Sequence, residues 1–212
     1  MLINLLKLIY RFIIRLVPLS RLIYETKGTS APITIRTMIF QKILRFNYNA
    51  YWPMHFTSFA GPIENIHIGV GTAPGLSRGC YIQAGGKIYI GDYTIIGPNV
   101  GIISVNHDVY DYRLYTDANV KIGKYCWIGM NSIILPNVEL GDHVIVGAGS
   151  VVTKSFPQGY CILAGNPAKV IKNLDKSKCI EYKNRYEYYG YIKKEDFKVY
   201  KRKKLKSWVV NK

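Results

Sequence analysis

A β-solenoid is the fold class this sequence predicts, and three observations predict it. Between Ile66 and Lys172 an aliphatic residue recurs every six positions: Ile90, Ile96 and Ile102, then, after a break, Ile122, Ile128, Ile134, Leu140, Val146 and Val152. The next residue is glycine in most hexads (Gly91, Gly97, Gly123, Gly129, Gly141, Gly147). The residue two before is small or β-branched (Thr94, Val100, Val120, Cys126, Ser132, Val138, Val144, Ser150). A helix cannot use that period, but short strands meeting at repeated corners can, with glycine where the backbone turns or approaches closely. Three hexads then make one coil, and stacked coils bury a ladder that no single coil buries alone. Six consecutive hexads in phase from Ile122 to Val152 argue against a chance glycine and valine run in a sandwich.

Around this repeat the chain divides into a helical segment and lead-in over 1–62, the repeat domain over 63–172, and a basic, tyrosine-rich helical tail over 173–212. Met1 to Val17 is apolar but carries Lys7, Arg11 and Arg15 four residues apart, a basic stripe on one side of a helix. Its charges make it a poor membrane span, and the lack of a small-residue cleavage site makes it a poor signal peptide. Two readings stand: a helix lying in the membrane interface, or one packed on the solenoid or another subunit. Pro18 ends or kinks it. A second apolar and basic stretch, Ile33 to Phe46, follows, and Tyr48 to Pro62 leads into the first coil.

Ile66 and Ile68 open the repeat, and Thr72 to Gly86 loses the phase, giving irregular first coils. From Ile88 the register is clean to Ile102. Ile102 to Ile122 spans twenty residues, two more than three hexads, so a loop is extruded over 104–119. It carries Asn106, His107, Asp108, Tyr110, Asp111, Tyr112, Arg113 and Tyr115, a polar and aromatic cluster of the kind that holds chemistry on a rigid scaffold. Pro157, Gly159 and Pro167 end the solenoid. The tail, with a helix expected near Lys176 to Tyr189, reads as a solvated cap over the last coil; contact of Lys198 to Trp208 with lipid or glycan is the alternative.

Composition bounds the function. At 212 residues and 49% hydrophobic, the chain holds one solid domain with appendages. The formal charge of +16, from 29 Lys and Arg against 13 Asp and Glu, favours anionic partners. No nucleic-acid motif accompanies it, and the bases gather at the two ends rather than in the repeat, so nucleic acid is not expected. Cys80, Cys126, Cys161 and Cys179 form no CxxC pair and read as reduced and structural.

The blocks Ile90 to Asp108 and Val120 to Lys172 resemble the hexapeptide-repeat acyltransferases, most closely the branch of sugar O-acetyltransferases and xenobiotic acetyltransferases. The resemblance covers about half the chain and implies a left-handed parallel β-helix. It implies that His107, seventeen residues after Ile90, is the catalytic base, as in the galactoside acetyltransferases. It places the oxyanion donor at the amide of Met130, after the Trp127, Ile128, Gly129 tripeptide. Acetyl-coenzyme A is implied as acyl donor, with Trp127, Gly129, Ala148, Thr153, Lys154, Lys169 and Lys172 at the matching positions. A homotrimer with active sites between subunits is implied too. Where the galactoside enzymes have a sugar-binding asparagine this chain has Ser77, so the acceptor pocket differs; Gln83, Asn106, Asp108, Tyr110 and Tyr112 are the candidates to complete it.

The β-helical carbonic anhydrases share the fold and bind zinc through histidines, but their second loop histidine would fall at Tyr112, so no metal is expected. His55, His67 and His143 read as structural. The chemistry is self-consistent without a metal: a histidine with an ordinary pKa near 6.5 suits general-base work on a hydroxyl at neutral pH. The expected function is acetyl-CoA-dependent O-acetylation of a sugar hydroxyl in a bacterial surface polysaccharide or its precursor. The protein would be cytoplasmic or peripheral on the inner membrane face. Two alternatives remain open: acetylation of an antibiotic or other small hydroxyl compound, and a noncatalytic β-helical scaffold.

Overall fold

The computed structural model describes residues 18–205; the expectation for Met1 to Val17, and the last part of that for Lys198 to Trp208, lie outside them. Three columns of short parallel strands form the faces of a prism. The first face holds β1 (Phe59–Gly61), β3 (Tyr81–Gln83), β6 (Gly101–Ile103), β11 (Ile133–Ile134) and β14 (Val151–Val152). The second holds β2 (Ile66–Ile68), β4 (Ile88–Ile90), β9 (Val120–Ile122) and β12 (Glu139–Leu140). The third holds β5 (Ile95–Ile96), β10 (Trp127–Ile128), β13 (Val144–Val146) and β15 (Cys161–Gly165), and ends in the antiparallel β16 (Ala168–Asn173). This is the left-handed parallel β-helix expected from the six-residue repeat.

The hexad aliphatics stack in register inside it. Ile82, Ile102, Ile134 and Val152 run up the first face, Ile68, Ile90, Ile122 and Leu140 up the second, and Ile96, Ile128, Val146 and Leu163 up the third. All are buried. Burying such a side chain stabilises by about 1.5–3 kcal/mol, and each coil does so only against its neighbour. Where the small position two before an aliphatic is polar, its hydroxyl is satisfied by a backbone carbonyl: Thr94 Oγ1 donates to the Gly123 carbonyl of the next coil at 2.7 Å, and Ser132 Oγ to that of Gly129 at 2.5 Å.

The hexad glycines do not make the turns. The left-handed φ falls two residues later, on Tyr93 (56°), Tyr125 (54°) and His143 (55°) at one corner and on Asn99 (55°) and Asn131 (58°) at another. The glycines instead allow coils to touch: a Cβ on Gly123 would sit 2.5 Å from the Gly141 backbone. Of the two roles glycine was expected to serve, close approach is the one it fills.

The sequence count across the extruded loop is also corrected. Ile102 pairs with Ile134, thirty-two residues on, whereas Ile134 pairs with Val152, eighteen on. The difference, fourteen residues, is the insertion, and Ile102 to Ile122 is one hexad plus that insertion rather than three hexads and two residues.

The open N-terminal end is covered by residues 47–58, with Trp52 fully buried and its Nε1 donating to the Pro74 carbonyl at 2.7 Å. Before it come α1 (residues 18–26), a short α2 (Ile35–Met38) capped by Thr34, and a π-helical turn, Ile39–Ile43. The tail does not cap the last coil, and its helix is not at Lys176–Tyr189, where there is one 3-10 turn, Lys176–Lys178. Instead it runs back along the corner between second and third faces. There the corner residues Tyr93, Tyr125, His143 and Tyr160 stack ring on ring at 5.0–5.4 Å. The tail fastens to this ladder through Tyr125 Oη to the Tyr182 carbonyl (2.9 Å) and Tyr93 Oη to Glu187 (2.8 Å). It then forms the hairpin β17 (Tyr188–Tyr189) and β18 (Ile192–Lys193) beside the first coil, where the Tyr188 hydroxyl donates to Glu25. The helix α3 (Lys194–Lys204) packs Phe197 on Tyr51 and Tyr189.

Candidate functional site

The insertion folds as an antiparallel hairpin, β7 (Val105–His107) and β8 (Tyr115–Asp117), projecting from the corner between first and second faces. Its base is closed by Ala118 N donating to the Ser104 carbonyl at 2.9 Å. Gly85 and Gly86 of the preceding coil make room, since a Cβ on either would strike Val105 or the Ala118 backbone. The tip is built by two aspartates. The Asp108 carboxylate accepts from the amides of Tyr110 (2.8 Å) and Asp111 (2.9 Å), which hold its pKa below the usual carboxylate range. Asp111 takes a two-point contact from Arg113 at 2.8 Å, and that guanidinium lowers its pKa too.

His107 is exposed on β7, with Tyr115 across the hairpin at 4.7 Å between ring centres. Its Nδ1 lies 2.5 Å from the Tyr112 carbonyl oxygen. A carbonyl only accepts, so this contact puts the proton on Nδ1 and leaves Nε2 with a free lone pair.

A second group lies elsewhere. Trp127, 56% exposed, stands on the outer side of the third face, in register with Ile95 and Ile145. It borders an open apolar groove of about 400 Å³ with Gly97, Pro98, Gly129, Met130, Gly147 and Ala148. Met130 and Ala148 are corner residues, and neither amide donates to any described group. Ser77 stands on the same corner column, with its hydroxyl donating to the Ile96 carbonyl at 2.7 Å. Lys172 and Lys169 are exposed on β16, paired with Ile162 and Ala164, and the Lys172 pair continues the row that runs through Trp127 and Ile145.

Within one chain the candidate residues thus fall on two corners. Gln83, Asn106, His107, Asp108, Tyr110 and Tyr112 belong to the first–second corner. Thr153 and Lys154, both exposed, follow β14 on that same corner two coils further on. Ser77, Trp127, Gly129, Met130, Ala148, Lys169 and Lys172 belong to the third face and its corner with the first. The first face lies between the two sets. Asp108 serves the hairpin's own turn rather than an open pocket, and Tyr110 and Tyr112 stand out from the tip, 97% and 77% exposed.

The remaining histidines are where structure needs them: His143 is sandwiched between Tyr125 and Tyr160, His67 stacks on Tyr89, and His55 on Phe56. All four cysteines are free thiols. Among the described residues no three His, Cys, Asp or Glu side chains are grouped to hold a metal, and no helix is long and apolar enough to cross a membrane. Sequence reasoning named Tyr115 in the loop cluster without giving it a partner, and did not single out Pro98. The hairpin register, symmetrical about Asp111, is the signal that puts Tyr115 opposite His107.

Residues 119–154 match the family model described as bacterial transferase hexapeptide (six repeats). Over 74 residues the chain is 44% identical to nodulation protein L of Rhizobium meliloti (strain 1021), covering 33% of this chain and 40% of that one. The chain therefore matches about two-fifths of the length of that curated relative. Among solved structures, a maltose O-acetyltransferase from Clostridium difficile 630 is 29% identical with a TM-score of 0.57, covering 68% of this chain and 80% of its own. A galactoside acetyltransferase in complex with coenzyme A is 25% identical with a TM-score of 0.54, covering 80% and 85%.

Proposed function

We propose that this hexapeptide-repeat acyltransferase moves an acetyl group from acetyl-coenzyme A to a sugar hydroxyl, with His107 as general base. The observation that carries the reading is the bond from His107 Nδ1 to the Tyr112 carbonyl, which leaves the Nε2 lone pair as the one able to take a proton. The acceptor hydroxyl gives its proton to Nε2 as its oxygen attacks the thioester carbon. The resulting oxyanion takes the free Met130 amide, a donor fixed at a solenoid corner. The carbon–sulfur bond then breaks, and the thiolate recovers the proton from the imidazolium. Such a base contributes on the order of 100 to 10,000-fold in rate.

The apolar groove beside Trp127 and Gly129 suits the donor's pantetheine arm, with Ala148 along it and Lys169 and Lys172 offering point charges to its phosphates. His107, Thr153 and Lys154 border the other edge of the first face. A cyclic trimer packed through first faces, whose outward side chains include Phe59, Tyr81, Ile133 and Val151, would set the His107 corner of one chain against the Trp127 groove of the next. A complete site then needs two chains. The similarity to a maltose and a galactoside acetyltransferase supports a sugar acceptor, and a surface polysaccharide or its precursor is the class we favour.

Thiol release from acetyl-CoA, measured with a panel of glycans and small hydroxylated compounds, tests this. Release that depends on a glycan and disappears in His107→Ala supports it; release with small compounds alone redirects it to those; absence of CoA binding overturns it. For the shared site, mixing His107→Ala with Trp127→Ala chains should recover activity that neither has alone. No recovery in verified mixed assemblies would count against a site built by two chains.

A further inference from the structure

The segment from α2 through the π-helical turn is an amphipathic helix turned inside out. Its fully buried residue is polar: Gln41 donates through Nε2 to the carbonyls of Asn47 (3.0 Å), Ala50 (3.3 Å) and Trp52 (2.9 Å). Gln41 Oε1 accepts from Met54 N (3.2 Å) and the Tyr191 hydroxyl (2.6 Å). Its outward residues are apolar. Ile35, Ile39 and Ile43, four apart and so on one stripe, stand 65%, 41% and 70% exposed, followed by exposed Leu44, Phe46 and Tyr48. A helix settled in water buries its isoleucines and exposes its glutamine. Five hydrogen bonds fasten Gln41 inside, and the arrangement leaves an apolar ridge facing outward.

The exposed charges on the segment itself are basic. Arg36 and Arg45 are exposed beside it, the latter lying over the Tyr48 ring at 4.6 Å. From residue 1 to 63 the sequence has eight Lys and Arg and a single acid, Glu25, and that acid is occupied by Arg21 and Tyr188. An apolar ridge with Arg36 and Arg45 at its edge matches a surface that is apolar in depth and anionic at its rim.

We propose that the face formed by Ile35, Ile39, Ile43, Leu44 and Phe46, with Arg36 and Arg45 at its edge, docks the protein on an anionic lipid bilayer. The apolar side chains enter the headgroup boundary while the guanidiniums meet lipid phosphates. This assignment is independent of the acetyl-transfer reading. It makes the N-terminal end of the solenoid the membrane-facing end and leaves the His107 hairpin and the third-face groove exposed along its sides.

The test is sedimentation of the full chain with phosphatidylcholine vesicles, with and without phosphatidylglycerol, at low and raised salt. Wild type should bind the anionic vesicles and lose binding with salt. Arg36→Gln with Arg45→Gln, which touches no buried group, should weaken that binding by about thirtyfold, given roughly 1 kcal/mol for each of the two basic residues at such a surface. Ile39→Ser, Ile43→Ser and Leu44→Ser together should weaken it by at least about tenfold, with melting temperature and assembly mass unchanged. Unchanged binding by both variants, or a wild type that ignores anionic vesicles, overturns the proposal. A triple variant with altered assembly mass would assign the face to a second copy of the chain, and that also overturns it.

Discussion

As the proposed base, His107 depends on one backbone oxygen, that of Tyr112, to hold its Nδ1 proton, which makes its replacement a clean measurement. His107→Ala should lower kcat/KM by on the order of 100 to 10,000-fold and leave CoA affinity, read by calorimetry, unchanged. Asp108→Ala should lower kcat while sparing CoA affinity, because the amides of Tyr110 and Asp111 lose the carboxylate that orders the turn holding Tyr112. Hydrogen exchange at 108–114 should rise in the same variant. His67 gives a pH prediction. Burial, then the charges of Lys201 and Lys87, push its pKa from 6.5 down to about 4. The folded chain therefore resists a proton that the unfolded chain accepts, and stability is lost as pH falls from about 6.5 to about 4. His67→Gln should show a smaller fall in melting temperature across that window. Of these residues, resemblance singled out His107 and the sequence read His67 as structural, but the amides that Asp108 holds and the ring and charges beside His67 were not legible, since they depend on which groups fold against them.

At the scale of the element, the hexads were legible because each aliphatic side chain must point inward for a coil to bury anything. The register of every face follows that pattern, down to Ile134 between Ile102 and Val152. The insertion was located but miscounted, because counting in whole coils assumes that the chain returns to the face it left. It left from the first face and returned to the second. The hexad glycines give a sharp test of their role as contact points. Gly123→Ala brings a Cβ to 2.5 Å from the Gly141 backbone, and the strain should cost on the order of 3 kcal/mol, visible as a lower denaturation midpoint. Were glycine needed for a turn there, the left-handed φ would sit on it rather than on Tyr125.

Over the whole molecule, the tail is the part least legible in sequence. Its lysines and tyrosines suggested solvent, yet its tyrosines and Glu187 read the corner ladder and carry the chain back to the first coil. Nothing in a local pattern encodes a contact such as that of Glu25 with Tyr188, 163 residues apart. Gly190 marks where the return is latched: it holds a φ of +59°, and any side chain there would collide with the Tyr51 carbonyl and with Trp52. Gly190→Ala should raise hydrogen exchange at both 50–54 and 186–192 while the central strands of the three faces stay protected. The same return path governs when the molecule is finished during its synthesis. A stack of repeats is able to assemble coil by coil as it leaves the ribosome, but the first coil waits, unsealed, until Tyr188 to Gly190 have emerged to close it.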